Sequence, residues 1–107
     1  MLKKYKYSFD IRVGTIVNVK TVFSQKNYVL KVNFGSIIGL KNCYYRFYPN
    51  IPAHSLIGKH VCAIINFNTE MPNKKNSNIL LLSMPNSRGL YVLIQPDSNI
   101  PNGGLLY

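Results

Sequence analysis

Tryptophan is absent from this chain of 107 residues, and carboxylates nearly so: three acidic residues stand against thirteen Lys and Arg, for a net charge of +10. With only Asp10, Glu70 and Asp97, each remote from the others in sequence, a paired acid/base site has few possible members. Cysteine is scarce too. Cys43 and Cys62 are too few for a secreted disulfide scaffold and too far apart for a CxxC metal or redox motif. Both read as small buried hydrophobes, and in apolar strands a thiolate is too costly for a Cys–His nucleophilic pair. His54 and His60 lack the i, i+4 spacing of a helical zinc pair. Gly35-x3-Gly39 and Gly103-Gly104 lack the lysine and the serine or threonine of a phosphate loop. Together these absences weigh against catalysis.

Long hydrophobic runs are missing as well. No stretch approaches the roughly 18 apolar residues of a membrane span, and "MLKKYKYSF" carries charge without the apolar core of a signal peptide. The expectation is a soluble, cytoplasmic protein that does not insert into membranes. No repeat, low-complexity tract or linker breaks the chain, so residues 1–107 read as a single domain. What is abundant is positive charge, whose field attracts polyanions such as nucleic acid or anionic lipid. The bland alternative is that this charge serves solubility alone.

Period-two patterning runs almost throughout. In "DIRVGTIVNVK", Ile11, Val13, Thr15, Val17 and Val19 fall on one face and Asp10, Arg12, Asn18 and Lys20 on the other, the pattern of a half-buried strand. Gly14 then belongs to the polar face, where it permits a bulge or bend. "YVLKVNF" alternates likewise, with Tyr28, Leu30, Val32 and Phe34 inward, and Gly35-Ser36 marks a turn. These strands form a hairpin across Ser24–Asn27, and a third starts near Ile37 and stops at Pro49. "IPAHSLIGK" is the one helical segment, with Pro52 in its first turn and Gly58 as its cap. "HVCAIINF", "NILLLSM" and "GLYVLIQP" are further strands.

Three strands, a short helix, then two or three more strands favour a closed or partly open antiparallel barrel. The predicted fold is all-β with one short helix: an OB-fold, a five-stranded Greek-key barrel with the helix between strands three and four.

The stretch "KNCYYRFYPN" crowds four aromatic rings around Arg46. With Phe47 inward, alternation turns Cys43 and Tyr45 inward and Tyr44, Arg46 and Tyr48 outward. Two tyrosines flanking an arginine make a stacking platform for unpaired bases. Cross-strand ring packing or burial in a subunit interface explains the same cluster.

"DIRVGTIVNV", "KVNFGSIIGLK", "LIGKHVCAIINF", "SNILLLSM" and "LIQPDSNIPNG" follow in order the pattern of another known group. From about Phe9 to Leu106 the chain resembles the free-standing tRNA-binding-domain proteins, and within them CsaA. Asn66-Phe67 and the Pro101–Gly103 "PNG" favour CsaA over the domain appended to methionyl-tRNA synthetase. The resemblance implies a homodimeric OB-fold whose N-terminal segment 1–9 and C-terminal tail 96–107 pack across the two-fold axis. It implies structure-dependent binding of tRNA, a chaperone role for preproteins awaiting export, and no cofactor. The apolar "GGLLY" suits a dimer interface, or else closes the barrel's own base.

This chain departs from relatives in two places. In "NFNTEMPNKKNSN" it keeps Asn66 and Ser77 but has Asn68, Thr69, Glu70 and Asn78 where Pro, Pro, Lys and Glu are common, and its charge sits on Lys74 and Lys75. Those lysines neutralise phosphates in one reading and are incidental to a solvated loop in the other. The second departure is the aromatic stretch, where relatives carry small polar residues. Two functions compete. One is a module for tRNA or other structured RNA that uses Lys31, Lys41, Tyr44, Arg46, Tyr48, Asn66, Lys74, Lys75 and Ser77. The other is a chaperone holding unfolded preproteins on the same face; the +10 charge opposes it as sole function, because signal-peptide n-regions are themselves positive.

Overall fold

The computed structural model describes residues 9–22, 27–46, 52–67 and 79–106. Strand β1, Ile11–Val22, pairs antiparallel with both β2, Asn27–Asn33, and β4, His60–Ile64. Strand β3, Leu40–Arg46, adds to β2, and β5, Leu80–Leu81, adds to β4. The order β3-β2-β1-β4-β5 is a Greek key, in which a three-strand meander is joined on its first strand by the fourth. The sheet curls until its edge strands β3 and β5 touch. This is the OB-like, partly closed barrel expected from the sequence.

Three details of the expected elements change. "NILLLSM" divides at Leu82 into β5 and β6, Ser83–Pro85, and among the described residues β6 pairs with β7, Tyr91–Leu93, in a separate two-stranded sheet. At the division the Leu82 N–H donates to the Cys62 carbonyl, the Ile94 N–H to Leu82, and the Cys62 N–H to Ile94. Three segments thus satisfy one another where no regular ladder runs. The expected helix is a single 3-10 turn, Ala53–Leu56, capped by Pro52, with the fully buried Leu56 set into the core. Its Ser55 N–H donates to the Pro52 carbonyl and the Lys59 N–H to Leu56, the i→i+3 pattern of a 3-10 turn. One α-turn that the sequence did not suggest, α1 at Gly35–Ile38, delays β3 to Leu40.

The largest correction lies in β1. Ile16 sits opposite Val32 and Asn18 opposite Lys31, leaving Val17 as an extra residue between them. Such a bulge inverts the side-chain alternation beyond it. Gly14 and Ile16 therefore turn inward before the bulge and Val19 after it; Ile16 is wholly buried and Val17 is 41% exposed. Gly14 does not lie on the polar face. A Cβ there would stand 2.6 Å from Val32 Cγ1 and 2.8 Å from the Phe34 ring, so the core occupies the space a side chain would need. Val13 is buried too, on the opposite parity, in the stretch where the C-terminal segment pairs with β1.

Ile16, Leu30, Val32, Phe34, Cys43, Leu56, Val61, Ala63, Leu81 and Leu93 form one core cluster. Fully burying a side chain of Phe34 or Leu30 size contributes about 1.5–3 kcal/mol. Burial also pushes the Cys43 thiol up from 9.0 to about 12. Above pH 9.0 an unfolded chain gives up this proton while the folded chain retains it, so stability falls as pH rises through that window. The slope is at most about 1.4 kcal/mol per pH unit. Urea denaturation from pH 9 to 11 should show a flatter decline for Cys43→Ala than for the parent; equal slopes would rule out this thiol as a source.

Candidate functional site

The elements just described place the charged side chains unequally. Asp10 is buried, and its carboxylate accepts from Arg12 Nε at 2.7 Å, while Arg12 Nη1 donates to the Gly103 carbonyl at 2.9 Å. This arginine is therefore engaged in joining the start of β1 to the C-terminal segment. Asn66 belongs to the same junction, its Oδ1 accepting the Asp10 N–H at 2.8 Å. Sequence reasoning assigned Asn66 to ligand binding; here its carbonyl oxygen latches the exit of β4 onto the entry of β1.

The C-terminal segment continues that junction. The Gly103 N–H donates to the Val13 carbonyl, the Val13 N–H to Gly104, and the Leu106 N–H to Ile11. Thr15 Oγ1 donates to Asn102 Oδ1 at 2.8 Å. The tail thereby supplies backbone partners to the part of β1 that precedes its pairing with β2 at Thr15. Leu106 remains 46% exposed.

Beyond the bulge, the outer face of β1, β2 and β3 carries two rows. Asn18, Lys31 and Asn42 stand opposite one another across the three strands, as do Lys20, Val29 and Tyr44. Opposed residues on one sheet face lie about 5 Å apart at Cβ, and successive rows about 7 Å apart. Asn18, Lys20, Lys31 and Asn42 are exposed; Val29 and Tyr44 are half-buried. No carboxylate among the described residues shares these rows, since Asp10 is buried with Arg12 and Asp97 lies in the C-terminal segment. Among the described residues the face thus joins positive charge without a carboxylate to the Tyr44 ring on an aliphatic floor. Its chemistry suits phosphates and flat bases.

Of the residues the sequence singled out, this face unites Lys31 and Tyr44. Lys41 is exposed but sits opposite Val32, on the parity of Cys43, so it marks the start of β3 and not this face. Arg46 ends β3 opposite Asn27. Its side chain, with Tyr48, Lys74, Lys75 and Ser77, lies outside the described residues. Lys20, Asn18 and Asn42 were missed as site residues. Alternation already marked Asn18 and Lys20 as polar, but only cross-strand register reveals their neighbours.

A second surface feature is apolar. On the β6–β7 hairpin, Met84, Leu90, Tyr91 and Val92 are all exposed, around a turn in which Asn86 Oδ1 accepts the N–H groups of Arg88 and Leu90. No helix among the described residues is long and apolar enough to cross a membrane.

No protein-family model matches the sequence. Among solved structures, the CsaA chaperone of Picrophilus torridus superposes with a TM-score of 0.77 at 33% identity, covering 94% of this chain and 92% of that one. The CsaA chaperone of Bacillus anthracis str. Ames gives 0.77 at 27% identity, covering 94% and 91%. A methionine–tRNA ligase of Flavobacterium johnsoniae is 30% identical over 95 residues, 88% of this chain, which spans 13% of that much longer protein.

Proposed function

The chain belongs to the tRNA-binding-domain family of the CsaA type, and we propose that it is a non-catalytic module that binds tRNA through the outer face of β1, β2 and β3. The observation that carries this reading is the pair of exposed lysines, Lys20 and Lys31, set with Tyr44 on a face that bears no carboxylate among the described residues. A methionine–tRNA ligase among the relatives supports RNA as the partner. Arg46, Tyr48, Lys74, Lys75 and Ser77 extend the same basic and aromatic surface in this proposal. A cytoplasmic homodimer, with segments 1–9 and 96–107 meeting across the two-fold, would carry the face twice.

Mobility shift with total tRNA over a salt series tests the proposal. Binding should be firm at about 50 mM salt and fall steeply toward 200 mM, because displaced counterions regain their hold on the phosphates. Absent binding at low salt, or binding indifferent to salt, would sink it. A second reading, a chaperone for unfolded preproteins, is favoured by the exposed apolar hairpin and by the named activity of two structural relatives. Preprotein binding that survives high salt while tRNA binding is lost would place the two ligands on different surfaces.

A further inference from the structure

Asn102 and Gly103 make the only asparagine–glycine pair in the chain. In such a pair the backbone nitrogen of the glycine can attack the asparagine side-chain carbonyl carbon, because glycine carries no side chain to obstruct the approach. The attack needs that nitrogen deprotonated and the carboxamide free to turn toward it. Here both groups are held. The Gly103 N–H donates to the Val13 carbonyl at 2.7 Å, and Asn102 Oδ1 accepts from Thr15 Oγ1 at 2.8 Å. A hydrogen-bonded amide yields its proton only when the bond opens, as in hydrogen exchange. Both residues are only half-buried, so water reaches the pair and the two bonds to β1, not burial, withhold the reaction.

We propose that Asn102 is a site of covalent modification coupled to release of the C-terminal segment from β1. When the segment lifts, the Gly103 nitrogen bonds to Asn102 Cγ, the carboxamide C–N bond breaks, and ammonia leaves with the Gly103 proton. A five-membered imide remains. Water then opens it: cleavage between the Gly103 nitrogen and Cγ gives aspartate, and cleavage between that nitrogen and the main-chain carbonyl carbon gives isoaspartate. Isoaspartate routes the main chain through Cβ and Cγ, one carbon longer. The seat of the segment has no room for that carbon, since even a Cβ on Gly103 would stand 2.6 Å from the Phe34 carbonyl oxygen. The Gly103 N–H then loses its register with Val13, and a transient opening becomes permanent.

The full chain, incubated in mildly alkaline buffer with and without urea, tests this by peptide mass spectrometry at Asn102. Conversion should be at least about tenfold slower in the folded chain than in the unfolded one. Below the unfolding transition its rate should rise with urea less steeply than global unfolding does, because lifting the segment exposes less surface. Thr15→Val, which removes one of the two bonds, should speed conversion of the folded chain about 2–10-fold, the range of one net hydrogen bond. Hydrogen exchange then reads the consequence. The amides of Val13, Gly103 and Leu106 should lose protection in the isoaspartyl protein and keep it in Asn102→Asp, which has the same charge and a normal backbone; the amides of β2 should stay protected in both.

Equal conversion of folded and unfolded chains, or a urea dependence as steep as that of global unfolding, would overturn the coupling. Segment amides still protected in the isoaspartyl form, or lost equally in Asn102→Asp, would overturn the permanent release. None of these measurements involves RNA, so their failure leaves the tRNA-binding reading standing.

Discussion

Gly103→Ala should lower the melting temperature by roughly 10–20 °C, the consequence of about 2–3 kcal/mol lost from a domain of this size. Gly103 has φ +90°, and a Cβ on it would stand 2.6 Å from the Phe34 carbonyl oxygen; Gly35 has φ +94°, and a Cβ there would stand 2.6 Å from the Asn102 carbonyl oxygen. Two glycines 68 positions apart in "NFGS" and "PNGG" thus let two backbones touch reciprocally. A left-handed backbone costs an alanine about 1–2 kcal/mol, and the steric displacement adds about 1 kcal/mol or more. The backbone cannot retreat cheaply. The Phe34 N–H is tied to the Gly39 carbonyl, Asn102 is tied to Thr15, and Gly103 itself donates to Val13.

Gly89→Ala is the control, because Gly89 has φ +78° with nothing within 4 Å of an added Cβ. It should lose only the conformational part, about 1 kcal/mol. Thermal melts of both variants decide the matter: if Gly103→Ala melts as high as Gly89→Ala, the close approach contributes nothing.

Lys20→Ala combined with Lys31→Ala should weaken tRNA binding roughly 30-fold at low salt, from about 1 kcal/mol of attraction lost per charge. The slope of log affinity against log salt should become shallower by about two, one for each phosphate no longer neutralised. The two lysines occupy adjacent rows on neighbouring strands, separated diagonally by about 7–8 Å, close to the reach of successive phosphates. The loss should be uniform across RNA sequences, since phosphate contacts carry no sequence information. A mobility-shift series giving an unchanged slope would remove these lysines from the interface. Arg12→Ala is not an equivalent test, since that guanidinium holds Asp10 and the Gly103 carbonyl and its removal would disturb the fold.

The strands were legible because alternation, turn glycines and prolines act locally. "YVLKVNF" could bury one face only as a strand, and Leu30, Val32 and Phe34 are indeed the center of the core. The order of strands around a short helical turn sufficed for the barrel, since few small domains accommodate that order. Lys31 and Tyr44 were recognisable by the same alternation. Other parts of the site depended on partners distant in sequence. Asn66 drew notice through a motif, and its role emerged only from the Asp10 N–H it accepts.

By itself, then, the amino-acid sequence determined the class of fold, the near absence of carboxylates and a net charge of +10. Tertiary structure decided which side chains share a surface. The bulge at Val17 let Ile16 and Val19 share the inner face and set Asn18 beside Lys31, and the register between β2 and β3 put Lys41 on the other parity from Tyr44. The contact between Gly35 and Gly103 likewise exists only once the tail lies along β1. Alternation is a property of one strand, whereas register is a property of two, and a single extra residue in one of them reverses every face that follows.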